Sequence, residues 1–137
     1  MDEALLAAYH ATAYVVCLDT VQWPAIHIDA PLPTALQAVV GSQAWGFITA
    51  WNPRSRPRGE AENLAAQREL LASLQDHDER VALYPAIGIG VEGWHEPSLF
   101  VVGPTCPTLD IMAARFGQAA YVYGVGHDPA RLRLLDG

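Results

Sequence analysis

The chain has 137 residues, of which 51% are hydrophobic and 17% are charged, and its formal net charge is -7. This length and composition predict one compact domain with a core of its own, and they argue against disorder. The negative charge argues against general nucleic-acid binding, because affinity for phosphates depends on basic side chains.

The start of the sequence and its two cysteines bear on the cellular location of the protein. The start is acidic and has no basic segment before a long apolar run, so we expect no secretory signal and no membrane-spanning segment. Cys17 and Cys106 lie far apart, which favours free thiols in a soluble cytoplasmic protein but leaves a disulfide between them open. The histidines lack the spacing of metal ligands, so we expect no metal and no cofactor.

In chain order, the first predicted elements form an N-terminal extension over residues 1–42. The sequence predicts a short helix at 3–11, a strand at 12–18, a second short strand at 24–30 and a helix at 34–41. These segments come before a more regular part of the chain and are expected to pack on it.

Residues 45–125 are predicted to form the core of the domain. The patterns predict, in order, a strand at 45–51, a helix at 60–75, strands at 80–89 and 98–103, a helix at 107–117 and a strand at 119–125. This order, strand-helix-strand-strand-helix-strand, predicts an α+β fold with a ferredoxin-like split βαβ core. A mixed sheet with another strand order is the alternative. Residues 126–137 are expected to add a turn and a C-terminal edge strand.

The core strands are predicted to have one aliphatic and one aromatic face, since side chains alternate across a strand. Both core helices are expected on the aliphatic face. The aromatic face holds Trp45, Phe47, Phe100, Tyr121 and Tyr123. We expect the N-terminal extension or a second subunit to cover it, because a large exposed aromatic patch is unfavourable. An open face would stack on bases or other planar ligands.

A polar corner is predicted where the strand 45–51 leads into the helix 60–75. Asn63 and Gln67 lie on one stripe of that helix, and Asn52 follows the strand. Arg54 and Arg56 lie in the loop between them. Guanidinium groups and the free N–H groups of a helix N-terminus both favour an anion, so these residues are candidates for an anion-binding site.

A second set of polar residues surrounds the segment WHEPS, which we predict to be a turn at a strand entrance. Trp94, Glu96 and Ser98 lie in it, and Gln118 follows the predicted helix end at residue 117. Glu96 is a candidate general base, as is Glu62 at the start of the helix 60–75, where it is also placed to pair with an arginine of the loop. Ser98 lacks the Gly-x-Ser-x-Gly motif of serine hydrolases.

These segments together resemble a known family. The stretches ITAWNPRS, AEN, WHEPSLFVVG and ARFGQAAYVYG are similar to the small bacterial proteins grouped as domain of unknown function 3293, from about Phe47 to Tyr123. The residues that carry the resemblance are Thr49, Ala50, Asn52, Pro53, Glu62, Asn63, Trp94, Glu96, Pro97, Ser98, Phe116, Gly117 and Gln118. The resemblance implies a family but no activity.

Three functions follow as hypotheses. The first is a binding or regulatory module that recognises an anionic or amide-bearing small ligand, or an acidic segment of a partner. Its candidate residues are Asn52, Arg54, Arg56, Asn63, Gln67, Trp94, Glu96, Ser98 and Gln118. The second is an enzyme acting on nucleotides or phosphoesters, with Glu62 or Glu96 as general base. The third is a homodimer or protein-interaction domain that uses the aromatic face.

Overall fold

The computed structural model describes residues 1–77 and 81–135. The helices are α1 (Glu3–Ala11), α2 (Thr34–Val40), α3 (Glu60–His77) and α4 (Cys106–Arg115). The strands are β1 (Ala13–Val16), β2 (Ala25–Ile26), β3 (Ala44–Ile48), β4 (Ala82–Ile89), β5 (His95–Val102), β6 (Ala120–Val125) and β7 (Arg131–Leu134). Residue 80, where a strand was expected to begin, and residues 136–137 of the predicted C-terminal segment lie outside the described residues.

The types and order of these elements agree with the predictions, but several boundaries differ, and two of these differences lie near the site described below. Strand β3 ends at Ile48, so the three residues after it are irregular. Strand β5 begins at His95, three residues before its predicted start at Ser98, so the prediction of a turn is wrong for residues 95–97. The turn comes earlier, because the Gly90 N–H donates to the Trp94 carbonyl at 2.8 Å and closes a tight β4–β5 hairpin.

The seven strands form one antiparallel sheet in the order β2-β1-β4-β5-β3-β6-β7. Strand β5 therefore lies between β3 and β4, which the helix α3 connects in sequence. The fold combines helices with an antiparallel sheet, as the sequence predicted at this level. The end of β3, the start of β5 and the β4–β5 turn lie near one another, and this juxtaposition positions the site described below.

One face of the sheet packs against α3 and α4. Ile48, Leu99 and Val101 of the sheet form a buried cluster with residues of the two helices, including Leu70 and Leu109. All five side chains are aliphatic, as expected for the helix-covered face. Branched and small groups allow helices to approach a sheet closely.

The opposite face carries aromatic residues and is covered by the segment before β3. Trp45 and Phe100 are fully buried there, in a cluster that includes Ile26 and Leu36 from β2 and α2. Intramolecular packing therefore removes these rings from solvent, and they offer no exposed surface to bases or to a second subunit. The hypothesis of a partner surface on this face has no support in the structure.

Strand β6 corrects the predicted assignment of faces. Tyr121 and Tyr123 lie on the helix-covered side, while Val122 joins the aromatic cluster. The cause is the register, in which Val122 is paired with Phe47. Residues directly opposite each other in neighbouring strands share a face of the sheet.

Candidate functional site

A cavity of about 300 Å³ opens beside the aromatic cluster. It lies between α1, the loop after β3, the β4–β5 turn and the start of β5. Tyr14, Phe47 and Val122 form its inner surface, and Tyr9 of α1 lines one wall. A cavity of this size, mostly apolar but with a few polar groups, is typical of sites for small molecules.

The mouth of the cavity is formed in part by Trp94, whose residue surface is 46% exposed. Its six-membered ring lies over Gly90, where an added Cβ would come within 2.7 Å of Cε3. Gly88, on the same side of the hairpin, approaches the same ring, with 3.8 Å from an added Cβ to Cζ3. Gly90 therefore allows the indole to lie close against the backbone of the hairpin, whereas a Cβ at position 88 would make only an ordinary contact with it.

Glu96 is the acidic residue of the cavity. It lies half-buried in β5, where it lines the cavity and is paired with Gly88 of β4. Burial raises the pKa of Glu96 from its ordinary 4.5 to about 7. Its carboxylate accepts no hydrogen bond from residues 1–77 or 81–135, so nothing in the described chain compensates for its loss of water.

Two tyrosines lie beside this carboxylate. Burial raises the pKa of Tyr9, and the charge of Glu96 raises it further, so its hydroxyl stays protonated at neutral pH. Tyr14 donates to the Tyr9 carbonyl at 2.7 Å, which ties the end of α1 to β1. The Ser98 hydroxyl donates to the Glu96 carbonyl at 3.2 Å, so it supports the strand.

The amide of Asn63 lies behind the cavity wall. This residue is only 2% exposed. Its Oδ1 accepts from the Asn52 N–H at 2.9 Å and from the Arg58 Nε–H at 2.6 Å, and its Nδ2 donates to the Asn52 side chain at 2.8 Å. Arg58 also donates from Nη2 to the Ala50 carbonyl at 3.1 Å. This network holds the loop after β3 against α3.

Gln67 and Gln118 hold the same loop from two other sides. Gln67 Oε1 accepts from the Ala50 N–H at 2.9 Å. Gln118 Nε2 donates to the Trp51 carbonyl at 3.1 Å. The irregular residues that follow β3 are therefore fixed by side-chain amides instead of by sheet hydrogen bonds.

The loop itself has an unusual backbone. Asn52, Arg54 and Ser55 have positive φ angles of 43°, 57° and 60°. The Arg54 N–H donates to the Gly117 carbonyl at 2.8 Å, which holds the loop on the turn after α4. Strained backbone of this kind persists only where the surroundings hold it, and it is common at functional sites.

Five of the candidate residues come together in the cavity. These are Asn52, Trp94, Glu96, Ser98 and Gln118. Asn63 and Gln67 lie next to them but are used in the network behind the wall. Arg54, Arg56 and Glu62 are exposed and do not line the cavity. No ion pair joins Glu62 to an arginine among the described residues, because Arg58 turns instead to Asn63.

Some lining residues are not indicated by the sequence. Tyr9 reaches the site because α1 packs beside it, and Tyr14 because β1 pairs with β4; no motif marks either residue. Gly88 and Gly90 do carry a signal, since two glycines on one face of a strand indicate the close approach of another group.

The fold and the cavity together define a mixed helix-and-strand protein with a small-molecule-sized site that contains one half-buried carboxylate. The family model described as "Protein of unknown function (DUF3293)" matches residues 48–121, more than half of the chain. The chain belongs to this family, which confirms the resemblance seen in the sequence. No curated protein and no solved structure matched the chain.

The matched range covers only part of the cavity. Glu96, the loop after β3 and Gln118 lie inside it, whereas Tyr9 and Tyr14 lie before it. In residues 1–77 and 81–135, no helix is long and apolar enough to cross a membrane. The same residues contain no group of three His, Cys, Asp or Glu side chains placed to hold a metal ion. Cys17 and Cys106 are free thiols.

Proposed function

We propose that this protein is a binding module that takes a small ligand bearing N–H donors into the cavity, with Glu96 as the recognition group. The observation that carries the proposal is a half-buried carboxylate, without a hydrogen-bond partner among the described residues, that lines an apolar cavity of about 300 Å³. A buried acceptor of this kind gains most from a ligand that donates hydrogen bonds to it.

The lining favours an N–H donor over an anion. None of the described residues that line the cavity is Arg, Lys or His. Arg54 and Arg56 lie on the outer side of the loop and are exposed to solvent. An anion in the cavity would meet the Glu96 carboxylate without a compensating cation. The arginines remain candidates for contact with an acidic segment of a partner.

The test compares ligand binding by the native chain and two variants. A panel of small amides is screened by thermal shift, and the dissociation constant of each hit is measured by calorimetry. Glu96→Gln is expected to weaken a hit by about 10- to 100-fold, because a hydrogen bond to a charged group is lost. The double variant Arg54→Ala with Arg56→Ala is the matched control and should bind normally. If Glu96→Gln binds the hit with unchanged affinity, or if the arginine variant loses affinity for it, the site lies elsewhere.

An enzyme is the second candidate, and one observation favours it. A carboxyl group with a pKa of about 7 is matched to proton transfer near neutral pH, and the Tyr9 hydroxyl lies close enough for its pKa to respond to the Glu96 charge. Glu96 would then serve as general base, and Glu96→Gln is expected to abolish turnover of a bound compound while its fold survives. Hits that bind but are recovered unchanged after incubation with the native chain would favour the binding module.

The strand order supports a ferredoxin-like assignment for the core. The four strands β6, β3, β5 and β4 are neighbours in that order, and α3 and α4 lie on one face. A split βαβ arrangement requires the strand β5 to lie between the two strands that α3 connects. A bacterial source and a cytoplasmic location stay predictions.

A further inference from the structure

We infer that the ligand of this cavity is an organic cation, a protonated amine or amidine held between aromatic rings with Glu96 as its counter-charge. This inference rests on the proposed function and narrows it from N–H donors in general to positively charged ones. Three features of the cavity support it: its rings, its single carboxylate and the ionisation of its lining groups.

The rings supply one half of such a site. Tyr9, Tyr14, Phe47 and Trp94 all line the cavity. Tyr14 and Phe47 are fixed against each other edge to face, with their ring centroids 5.1 Å apart. Trp94 is held over Gly90 on one side and remains 46% exposed. Aromatic rings attract a cation through their negative faces, and tryptophan does so most strongly.

The carboxylate supplies the other half. Glu96 loses water on burial and receives no hydrogen bond from the described residues, so the free protein carries the cost of an uncompensated charge above its pKa of about 7. A neutral amide offers hydrogen bonds but no charge. A cation offers both, and an amidinium offers two parallel N–H donors to the two carboxylate oxygens.

The ionisable groups around Glu96 make the binding depend on pH in a defined way. The other ionisable lining residues are Tyr9 of α1, Tyr14 of β1 and Tyr121 of β6. Burial is the main cause that raises the pKa of each, so all three are neutral below pH 9. His95, the neighbour of Glu96 in β5, is exposed and does not line the cavity. Glu96 is therefore the lining group whose charge changes near pH 7.

The experiment uses three probes of nearly equal shape: benzamidinium, benzamide and benzoate. Binding to the full chain is followed by NMR titration of the backbone amides that line the cavity. Benzamidinium is expected to bind at least tenfold more tightly than benzamide, and benzoate is not expected to bind. The benzamidinium affinity should rise about tenfold from pH 6 to pH 8, because the ionised fraction of Glu96 rises by that factor for a pKa near 7.

Variants separate the two halves of the site. Glu96→Gln should remove the preference for the cation and its pH dependence. Trp94→Ala should lower the affinity for benzamidinium several-fold. Trp23→Ala is the matched control, since Trp23 is 65% exposed and does not line the cavity, and it should change nothing.

The outcomes distinguish the two proposals. Benzamide binding as tightly as benzamidinium in the cavity would overturn the cation inference and leave the binding function standing. Cation binding that is indifferent to Glu96→Gln would also overturn the inference. If none of the three probes shifts the cavity amides, both the inference and the proposed function fail.

Discussion

The Glu96→Gln variant is expected to be more stable than the native chain at pH 8, by about 2–3 kcal/mol. The physical reason is that the native fold buries this carboxyl group without compensating for its charge. Burial raises its pKa from 4.5 to about 7, and each unit of such a shift corresponds to about 1.4 kcal/mol. Glutamine has nearly the same shape and carries no charge, so the substitution removes the free-energy cost of taking a charge out of water.

The direction of the pH dependence follows from proton binding. Between pH 4.5 and 7 the folded chain holds a proton on Glu96 and the unfolded chain does not. The free energy of unfolding therefore falls as pH rises through this window, and the contribution is level below 4.5 and above 7. The advantage of Glu96→Gln should accordingly be under about 1 kcal/mol at pH 5 and reach its full value by pH 8.

Urea unfolding at pH 5, 6.5 and 8 would measure this difference. The free energy of unfolding of the native chain is subtracted from that of the variant at each pH. This difference cancels the contributions of other titrating groups, such as Asp110, whose pKa Arg133 lowers. Glu62→Gln serves as the control, since it makes the same chemical change at an exposed position that does not line the cavity. If the difference between Glu96→Gln and the native chain does not change with pH, the carboxyl group of native Glu96 is hydrated in the free protein. The proposed site would then lose its basis.

A stabilising substitution at this position bears on function as well. Proteins retain unfavourable groups where binding or catalysis needs them, and removal of such a group increases stability while function is lost. Stability gained together with lost ligand binding would identify Glu96 as a functional residue. Stability gained alone would identify only a poorly solvated side chain.

The order of elements could be predicted from the sequence because it depends on local patterns. The helix α3 begins with two acidic residues, Glu60 and Glu62, and its buried Leu70 and Leu74 are four positions apart. The start of β5 could not be predicted in this way. Trp94, Glu96 and Pro97 resemble a turn, and the pairing of residues 95–97 with residues 87–89 of β4 makes this segment a strand.

The candidate site was predicted in part, for reasons that are also physical. Asn63 is hydrogen-bonded to Asn52, and Gln67 is hydrogen-bonded to Ala50 of the same loop, so the described contacts of these two side chains serve the loop. The arginines of that loop could not be told apart, because side-chain directions in irregular backbone have no fixed period. Arg58 turns inward to Asn63 and Ala50, while Arg54 stays exposed.

The position of α1 on the sheet could not be predicted either. This helix has no fully buried residue, so its composition does not require a particular packing. Tyr9 nevertheless reaches the cavity, and the hydrogen bond from the Tyr14 hydroxyl to its carbonyl keeps the end of the helix in place. Such a long-range arrangement depends on contacts that no local pattern encodes.

Asn63→Ala is expected to cost about 3 kcal/mol or more in the free energy of unfolding. The substitution removes the acceptor of the Asn52 N–H and of the Arg58 Nε–H, and it removes the donor to the Asn52 side chain. A neutral hydrogen bond contributes about 1 kcal/mol and one to a charged group about 1.5–3 kcal/mol, and a buried group left without a partner costs more. Urea unfolding measures the loss.

Asn63→Leu separates the hydrogen bonds from the space that the side chain fills. Leucine has a similar volume, so it should be nearly as destabilising as alanine if the polar contacts carry the effect. Glu62→Gln, one position earlier on the exposed side of α3, should change stability by less than about 1 kcal/mol. If Asn63→Leu is as stable as the native chain, the network is not what holds the loop. A loss in both variants, together with displaced amide signals at Asn52 and Ser55, would show that the cavity wall depends on this one buried side chain.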